Sequence, residues 1–293
     1  MYELIQISEN DYYIDCPAKI GLVKTGAGEV VLIDSGSDKD AGKKVLRILE
    51  TNGWTLRAIY NTHSHADHIG GNKLLQERTG CEIYAAGIES VYASFPILEP
   101  TGLYGGLPFK DLRHKFLLAQ ESSVKMLSPG NLPAGMTMLE LPGHCFAMTG
   151  FLTKDGTAYI ADSVSSAETL EKYGIGYLWD PETALRTLEY LPTIPAKCFV
   201  PAHAPVVSDI TELAACNAQA IRQIRDLIIK ECSTPVTFEV LLKNIFDHYG
   251  LQMSAQQYVL IGSTVRSYLS SLSEQGLLRF RFEDNRMVWE QVL

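Results

Sequence analysis

Cysteines are few in this chain, and none of them form a C-x-x-C pair. Six occur in 293 residues, and they are widely scattered: Cys16, Cys81, Cys145, Cys198, Cys216 and Cys232. This spacing gives no disulfide framework. A secretion signal is also missing, because Met1-Tyr2-Glu3-Leu4 offers neither a basic start nor an apolar stretch. We therefore expect a cytoplasmic protein.

Long apolar runs and an excess of basic residues are missing as well. No segment approaches the ~18 consecutive apolar residues that a membrane-spanning helix needs, so no membrane partner is expected. The formal net charge of -9 argues against a general attraction to nucleic acid or to anionic membranes. We expect a small-molecule substrate, with nucleic acid an unfavourable partner.

Apolar residues, by contrast, make up 46% of the chain, which is enough for a sizeable core. The length suits one large domain with a small appendage. The composition changes near Thr234, where helical patterns followed by a hairpin pattern replace the preceding mixture of strands and helices. The predicted domains are residues 1–230 and 231–293.

A dense group of metal-ligand side chains is the most informative feature. The run His63-Ser64-His65-Ala66-Asp67-His68 holds three of the seven histidines. Imidazole is the commonest biological metal ligand, and a carboxylate beside it suits zinc or iron. The β-prone run Ala58-Ile59-Tyr60 precedes this group, and Gly70-Gly71 follows it. The histidines are thus predicted at the end of a strand, where open α/β sheets place their chemistry.

Strand and helix patterns alternate along the chain, which predicts an α/β layered core. Strands are predicted at 21–24, 30–33, 58–61, 82–85, 136–141, 150–153 and 159–161. Helices are predicted at 40–50, 72–78 and 210–229, with another starting near Pro181. Residues 163–177 are predicted to form a loop.

At this point the sequence resembles the metallo-β-lactamase superfamily. Thr62-His63-Ser64-His65-Ala66-Asp67-His68-Ile69-Gly70-Gly71 is similar to its signature. Four further motifs occur in the family's order: Val31-Leu32-Ile33-Asp34-Ser35-Gly36, Leu141-Pro142-Gly143-His144, Tyr159-Ile160-Ala161-Asp162 and Val200-Pro201-Ala202-His203. The resemblance covers roughly residues 12 to 205. It implies an α/β fold with four layers, αββα, while the substrate stays open because such folds host many reactions.

The resemblance also implies a site for two divalent metal ions, with zinc the first expectation and iron or manganese as alternatives. His63, His65 and His144 would hold one ion. Asp67, His68 and His203 would hold the other, and Asp162 would bridge the two. Asp34 would support a ligating histidine by accepting its other ring N–H.

The implied activity is that of a binuclear metal-dependent hydrolase, with Asp67 and Asp162 as catalytic residues. A metal-bridged hydroxide would attack a small-molecule ester, thioester or lactone, as in the glyoxalase II and lactonase branches. One alternative is a phosphodiesterase or nuclease, as in the ribonuclease Z branch. Another is a metal-binding regulator that uses its C-terminal module.

Residues 86–125 break the alternation and are predicted to form an insertion. Within it, residues 95–109 mix proline, glycine and large apolar side chains, so we expect a loop or short helices there. Phe95, Leu103, Tyr104 and Phe109 are too apolar to face water together. Two interpretations stay open: packing against the core, or a wall over the metal site that lines the substrate.

The C-terminal residues predict two helices, closed by Gly250 and Gly276, and a hairpin that turns at Glu283-Asp284-Asn285. This order resembles a winged helix, a module found in some metallo-β-lactamase-like hydrolases. Its charges nearly cancel, so tight DNA binding is not expected. We expect this module to form a homodimer contact, to have a structural role or to shape the substrate entrance.

Overall fold

The computed structural model describes residues 2–292. A large mixed sheet forms its N-terminal half, with strands in the order of the sequence. These strands are β1 (Glu3–Gln6), β2 (Asp11–Asp15), β3 (Ile20–Gly26), β4 (Glu29–Ile33), β5 (Thr55–Asn61), β6 (Glu82–Ala85) and β7 (Lys125–Met126). Strands β1 to β4 pair antiparallel, and β4 to β7 pair parallel.

A second, smaller sheet packs against the first. Its strands are β8 (Thr137–Glu140), β9 (Thr149–Leu152), β10 (Thr157–Ser165) and β11 (Cys198–His203), in the order β11-β10-β9-β8. Only β10 and β11 pair in parallel within this sheet. Side chains from both sheets, such as Tyr60 and Phe151, form one buried cluster between them. The two sheets therefore make the central layers of the fold.

Helices cover the outer faces of both sheets. They are α1 (Lys39–Asn52), α2 (Ala66–Ile69), α3 (Asn72–Thr79), α4 (Glu89–Ser94), α5 (Leu98–Tyr104), α6 (Ala167–Tyr173), α7 (Pro181–Tyr190), α8 (Thr211–Glu231), α9 (Phe238–His248) and α10 (Ala255–Glu274). Val45 of α1 and Leu75 of α3 pack on the first sheet. Leu188 of α7 and Ile221 of α8 pack on the second. The predicted four-layer αββα arrangement is confirmed.

The C-terminal part adds a hairpin and a short strand to α9 and α10. Strands β12 (Val236–Thr237), β13 (Leu278–Glu283) and β14 (Arg286–Gln291) form a sheet in the order β12-β14-β13. The hairpin turns through Asp284 and Asn285, both with positive φ, as a tight two-residue turn requires. Leu269 and Trp289 belong to the same buried cluster as Ile221. The division at residue 230 stays a prediction, and the two predicted parts share a core.

One predicted segment differs in the structure. Residues 163–177 are expected from the sequence to form a loop, but β10 extends to Ser165 and α6 follows directly. Ser166 caps α6 by accepting a hydrogen bond from the Thr169 amide at 3.1 Å. No residue of α6 is buried, so this helix lacks the apolar periodicity that predicts helices from sequence.

Gly71 lets the loop after α2 approach the end of β4 closely. A Cβ on Gly71 would lie 2.3 Å from the Ser35 carbonyl oxygen, well inside van der Waals contact. We expect Gly71→Ala to lower the free energy of unfolding by about 1–3 kcal/mol, because the backbone must move apart. Gly106→Ala is the control, since a Cβ there meets nothing within 4 Å. Equal urea midpoints for the two variants would contradict this account.

Candidate metal centre

The signature run follows β5 directly. His63 and His65 lie in the loop after this strand, and Asp67 and His68 lie on α2. The His65 carbonyl accepts hydrogen bonds from the amides of His68 and Ile69. This tight turn directs the four side chains to one side of the strand end.

Three further side chains reach the same place from the second sheet. His144 lies in the loop between β8 and β9, Asp162 lies on β10, and His203 ends β11. Ala161, directly before Asp162, has a φ of 48°, an uncommon backbone conformation for alanine. The register of β10 against β11 also shifts after this residue. The irregularity sets the direction of the Asp162 side chain.

Three histidine nitrogens converge at one end of the centre. The Nδ1 of His65 lies 3.0 Å from the Nε2 of His63 and 3.0 Å from the Nε2 of His144. Asp162 belongs to the same group, in which all potential ligand atoms lie within 4.8 Å of one another. These donors suit a borderline-soft divalent cation such as zinc.

A second group lies beside the first. It consists of Asp67, His68 and His203, and the Nε2 of His203 is 3.3 Å from Asp67 Oδ2. Asp162 links the two groups. Its Oδ1 is 3.1 Å from His68 Nε2, and its Oδ2 is 3.4 Å from the Nε2 atoms of both His144 and His203. The structure thus brings together all seven side chains that the sequence suggested as ligands.

The residues present fit a cation. The Nε2 of His68 and the Oδ1 of Asp162 are buried, and among residues 2–292 neither has a hydrogen-bond partner. They lie 3.1 Å apart. Buried polar atoms in this state are costly unless another group satisfies them, and a divalent cation would do so for both atoms.

Asp34 helps to fix the orientations of the histidine rings through hydrogen bonds on the side away from the centre. Its carboxylate accepts hydrogen bonds from the Thr62 amide at 2.8 Å, the Thr62 hydroxyl at 2.7 Å and the His68 Nδ1 at 2.8 Å. The Thr62 hydroxyl in turn lies 3.0 Å from the Nδ1 of His63. On the other side, the Pro17 carbonyl oxygen lies 3.0 Å from the Nδ1 of His203. In each of these histidines, Nε2 is left to face the centre.

We expect Asp34→Asn to weaken metal binding by roughly 10- to 100-fold. Asparagine tolerates the positive φ of 65° at this position. However, only one of its two terminal side-chain atoms can accept hydrogen bonds from Thr62 and His68, because the other is an amide nitrogen. Competition with a zinc-chelating dye measures the affinity. Asp15→Asn, at an exposed position on β2, is the control. Identical affinities for the two variants would remove the supporting role of Asp34.

Protonation differs between the two groups. Burial lowers the pKa of His65 and of His144 to about 4, and it also lowers the pKa of His63 well below its ordinary value. These three imidazoles are therefore neutral, the form that ligates metals. Asp162 raises the pKa of His203 to about 10. A cation at the second group thus competes with a proton on His203.

Two glutamates next to the centre, one buried and one nearly so, were not predicted. Glu89 on α4 accepts from the Ser64 amide at 3.1 Å and the Ser64 hydroxyl at 2.6 Å, and also from the Ala147 amide at 3.1 Å. It therefore ties the signature loop to the loop that carries His144. Glu99 on α5 lies 3.6 Å from the Nε2 of His65. Burial raises the pKa of the Glu99 carboxyl, and nearby Asp67 adds to the shift. Acidic residues within an apolar insertion were the only sequence signal for them.

The predicted substrate-lining residues divide into two sets. Leu103 lines a small cavity beside His65. Phe95, Tyr104 and Phe109 are about half exposed, and they line neither of the cavities next to the metal centre. The aromatic residue of the insertion that lines the larger cavity is Phe116. The lining role of the four residues stays a prediction.

A cavity of about 710 Å³ opens from the centre. Asp67, His144, Asp162 and His203 line the end at the metal centre, and α6, α7, α8 and α10 provide its walls. Its size lies within the range of roughly 300–1,000 Å³ that is typical of small-molecule sites. Tyr177 stands beside it, with its ring centroid 5.2 Å from that of His65. Sequence patterns gave no indication of the cavity, because its walls come from four separate helices.

Two packed sheets with a histidine and aspartate centre at their strand ends define a class of metal-dependent hydrolase folds. The chain belongs to the metallo-beta-lactamase superfamily, whose family model matches residues 13–203. This agrees with the resemblance found in the sequence motifs.

Curated relatives of the chain are named as hydrolases. The hydroxyacylglutathione hydrolase of Methylococcus capsulatus is 28% identical over 203 residues, which cover 67% of this chain and 64% of the relative. The hydroxyacylglutathione hydrolase of a Bradyrhizobium species is 33% identical over 155 residues, which cover 49% of each chain. The chain thus spans between about half and just under two thirds of the length of these relatives.

Solved structures share the fold over different lengths. A beta-lactamase domain protein from Burkholderia ambifaria aligns with a TM-score of 0.73 at 15% identity, covering 99% of this chain and 94% of its own. A metallo-beta-lactamase family protein from Thermus thermophilus gives a TM-score of 0.70 at 17% identity, covering 100% and 98%. The metallo-beta-lactamase from Pontibacter korlensis gives 0.59 at 17% identity and covers only 76% of this chain, but 99% of its own. The fold with the C-terminal helices and hairpin therefore occurs in other proteins.

Proposed function

We propose that the chain is a binuclear metal-dependent hydrolase that acts on a small-molecule thioester, ester or lactone. The observation that carries this proposal is the position of Asp162, whose two oxygens face histidines of both ligand groups. The names of the curated relatives favour thioesters within this set. Among residues 2–292, no helix has both the length and the apolarity needed to cross a membrane.

In this proposal His63, His65 and His144 hold one divalent cation, and Asp67, His68 and His203 hold a second, with Asp162 shared between them. Zinc is the first choice for these ligands, and iron and manganese are alternatives. Bound cations of this kind activate water as a nucleophile near neutral pH and stabilise negative charge that develops on the substrate.

The residues of the chain orient the reactants. Burial acts to raise the pKa of Asp67, but His68 and His203 outweigh it and hold the pKa well below its ordinary value. Asp67 is therefore an ionised acceptor that can orient the attacking water. Tyr177 has a raised pKa because it is buried and close to Glu99. Its phenol keeps its proton and can donate a hydrogen bond to the substrate.

The C-terminal structure supports a small-molecule substrate over DNA. Leu260 and Ile261 of α10 line the cavity, and Thr264 accepts a hydrogen bond from the Leu178 amide at 3.0 Å. One face of this helix is thus engaged with the catalytic part. The guanidinium of Arg266 lies 3.7 Å from the ring centroid of Phe238. A helix placed in this way is poorly suited to enter a DNA groove.

A substrate panel tests the proposal. The full chain, loaded separately with zinc, iron or manganese, is assayed with an acyl thioester, a hydroxyacyl-glutathione thioester, a lactone and bis-p-nitrophenyl phosphate. We expect the thioesters or the lactone to be hydrolysed faster than the phosphodiester, and chelated protein to be inactive. Turnover of the phosphodiester alone would favour the nuclease alternative. Submicromolar DNA binding without any turnover would favour the regulator.

A further inference from the structure

The walls of the 710 Å³ cavity are apolar away from the metal centre. Six large aliphatic side chains lie in this lining: Leu170, Ile175, Leu188, Ile221, Ile224 and Ile261. All of them except Leu170 are buried. Protein interiors are normally close-packed, with few voids larger than a water molecule. A space of this size among large aliphatic residues is therefore suited to an apolar group of a ligand.

The two buried polar side chains of the walls, Asn217 and Thr187, bond to the protein itself, whereas Gln256 and Gln257 line the cavity at half-buried positions on α10. The amide of Asn217 bonds to the backbone of Ser165 through both its oxygen and its nitrogen, each at 2.9 Å. The hydroxyl of Thr187 donates to the Pro142 carbonyl at 2.6 Å. Both lie deep in the wall, where an unmet polar group would mark a site for a polar ligand. The donors of both side chains are therefore already used within the protein.

The acidic side chains that line the cavity all lie at the metal centre. Among the described residues that line this cavity, none is a lysine or an arginine, and the carboxylates are Asp67 and Asp162. A ligand that carried its own carboxylates along the cavity would bury them without partners, which is costly. Lys115 of the insertion, next to Phe116, pairs instead with Asp38 at 3.0 Å. The walls thus disfavour a peptide-like anionic substrate such as a glutathione conjugate.

We propose that this cavity binds the aliphatic chain of an acyl thioester, with the thioester carbonyl at the metal centre. This rests on the proposed function, and it names the substrate class: uncharged, medium-length to long acyl groups. Hydrolysis adds the hydroxyl of water to the acyl carbon, breaks the carbon–sulfur bond and releases the thiol with the remaining hydrogen. The fatty acid product keeps its chain in the cavity and its carboxylate at the centre.

A chain-length series tests the proposal with the metal-loaded full chain. Thioesters of N-acetylcysteamine with acetyl to dodecanoyl groups share one leaving group, so only the acyl chain varies. We expect kcat/KM to rise about fourfold for each added methylene until the cavity is full, since each buried methylene contributes a constant increment. A thioester of equal length that ends in a carboxylate should be poorer by about tenfold or more.

Two substitutions on the same helix provide a matched pair. Ala220 on α8 lines the cavity, and Ala220→Phe should fill part of it and lower kcat/KM for the decanoyl thioester about tenfold or more. Ala215, on the exposed side of α8, is the position for the control Ala215→Phe, which should leave the series unchanged. If Ala220→Phe does not fold, Leu170→Asn on the half-buried α6 introduces a polar group into the same wall.

Binding of the product separates this inference from the proposed function. Calorimetric titration of metal-loaded protein with decanoate should show tighter binding than with acetate, together with a negative heat-capacity change. Decanoate binding without hydrolysis of any thioester would uphold the acyl site and remove the hydrolase proposal. Hydrolysis that is independent of chain length, with equal binding of acetate and decanoate, would overturn the acyl site alone.

Discussion

Replacing Asp162 with asparagine is expected to reduce hydrolysis by roughly 10³-fold or more, while the protein stays folded. Asp162 faces His68, His144 and His203 at 3.1–3.4 Å, so its charge supports both ligand groups. Loss of this charge removes several kcal/mol of stabilisation that metal-assisted catalysis depends on. Asparagine has nearly the same shape and volume as aspartate, so the packing around the site is kept and the chain is expected to stay folded.

Thioester turnover and elemental analysis of the same preparation measure this effect. The matched control is Asp226→Asn, which removes an exposed carboxylate on α8 and should change neither quantity. We expect the metal content of Asp162→Asn to fall below that of the wild type. If Asp162→Asn bound two metals and turned over thioester at the wild-type rate, the assignment of Asp162 as a shared carboxylate would be wrong.

Removal of metal with a chelator is expected to lower the melting temperature by roughly 10 °C. Ligand present at about 1,000 times its dissociation constant stabilises the native state by about 4 kcal/mol, and 1 kcal/mol corresponds to roughly 2–4 °C in a chain of this size class. The buried Nε2 of His68 and Oδ1 of Asp162 also lack partners among the described residues. Both lose their only source of compensation when the cation leaves.

Differential scanning calorimetry before and after chelation, and after restoring zinc, iron or manganese one at a time, measures this shift. Asp162→Asn should show a smaller shift, because its native state binds less metal at the start. An unchanged melting temperature of the wild type with and without chelator would mean that no metal bound by the seven side chains stabilises the fold. The cation that restores the highest melting temperature indicates which metal the site prefers.

The sequence predicted the location of the metal centre because each part of it carries a local pattern. His63 to His68 follow a β-prone run, and His144, Asp162 and His203 each end a short motif with a strand before it. Strand ends in a layered α/β fold meet at one edge. Residues distant in the chain could therefore be grouped from the sequence alone.

Features that depend on packing between distant helices could not be predicted in this way. Glu89 and Glu99 lie in an insertion without periodicity, and their roles follow from contacts with Ser64 and His65 that no local pattern encodes. Helix α6 was not predicted because it buries none of its residues and so shows no apolar periodicity in the sequence. The cavity has the same origin, since Leu170, Leu188, Ile221 and Ile261 come from four helices and each one alone resembles an ordinary core residue.

The contribution of α10 to the cavity has a consequence for how selectivity can change. The seven candidate ligands come from strand ends and the short helix α2, whereas Leu260 and Ile261 come from the last long helix of the chain. Substitutions in α10 would therefore alter the length or branching of the acyl group that we propose for this cavity, without disturbing the ligand geometry. In a lineage of such proteins, substrate range and reactivity could diverge independently, with the C-terminal module as the variable part and the strand ends as the constant one.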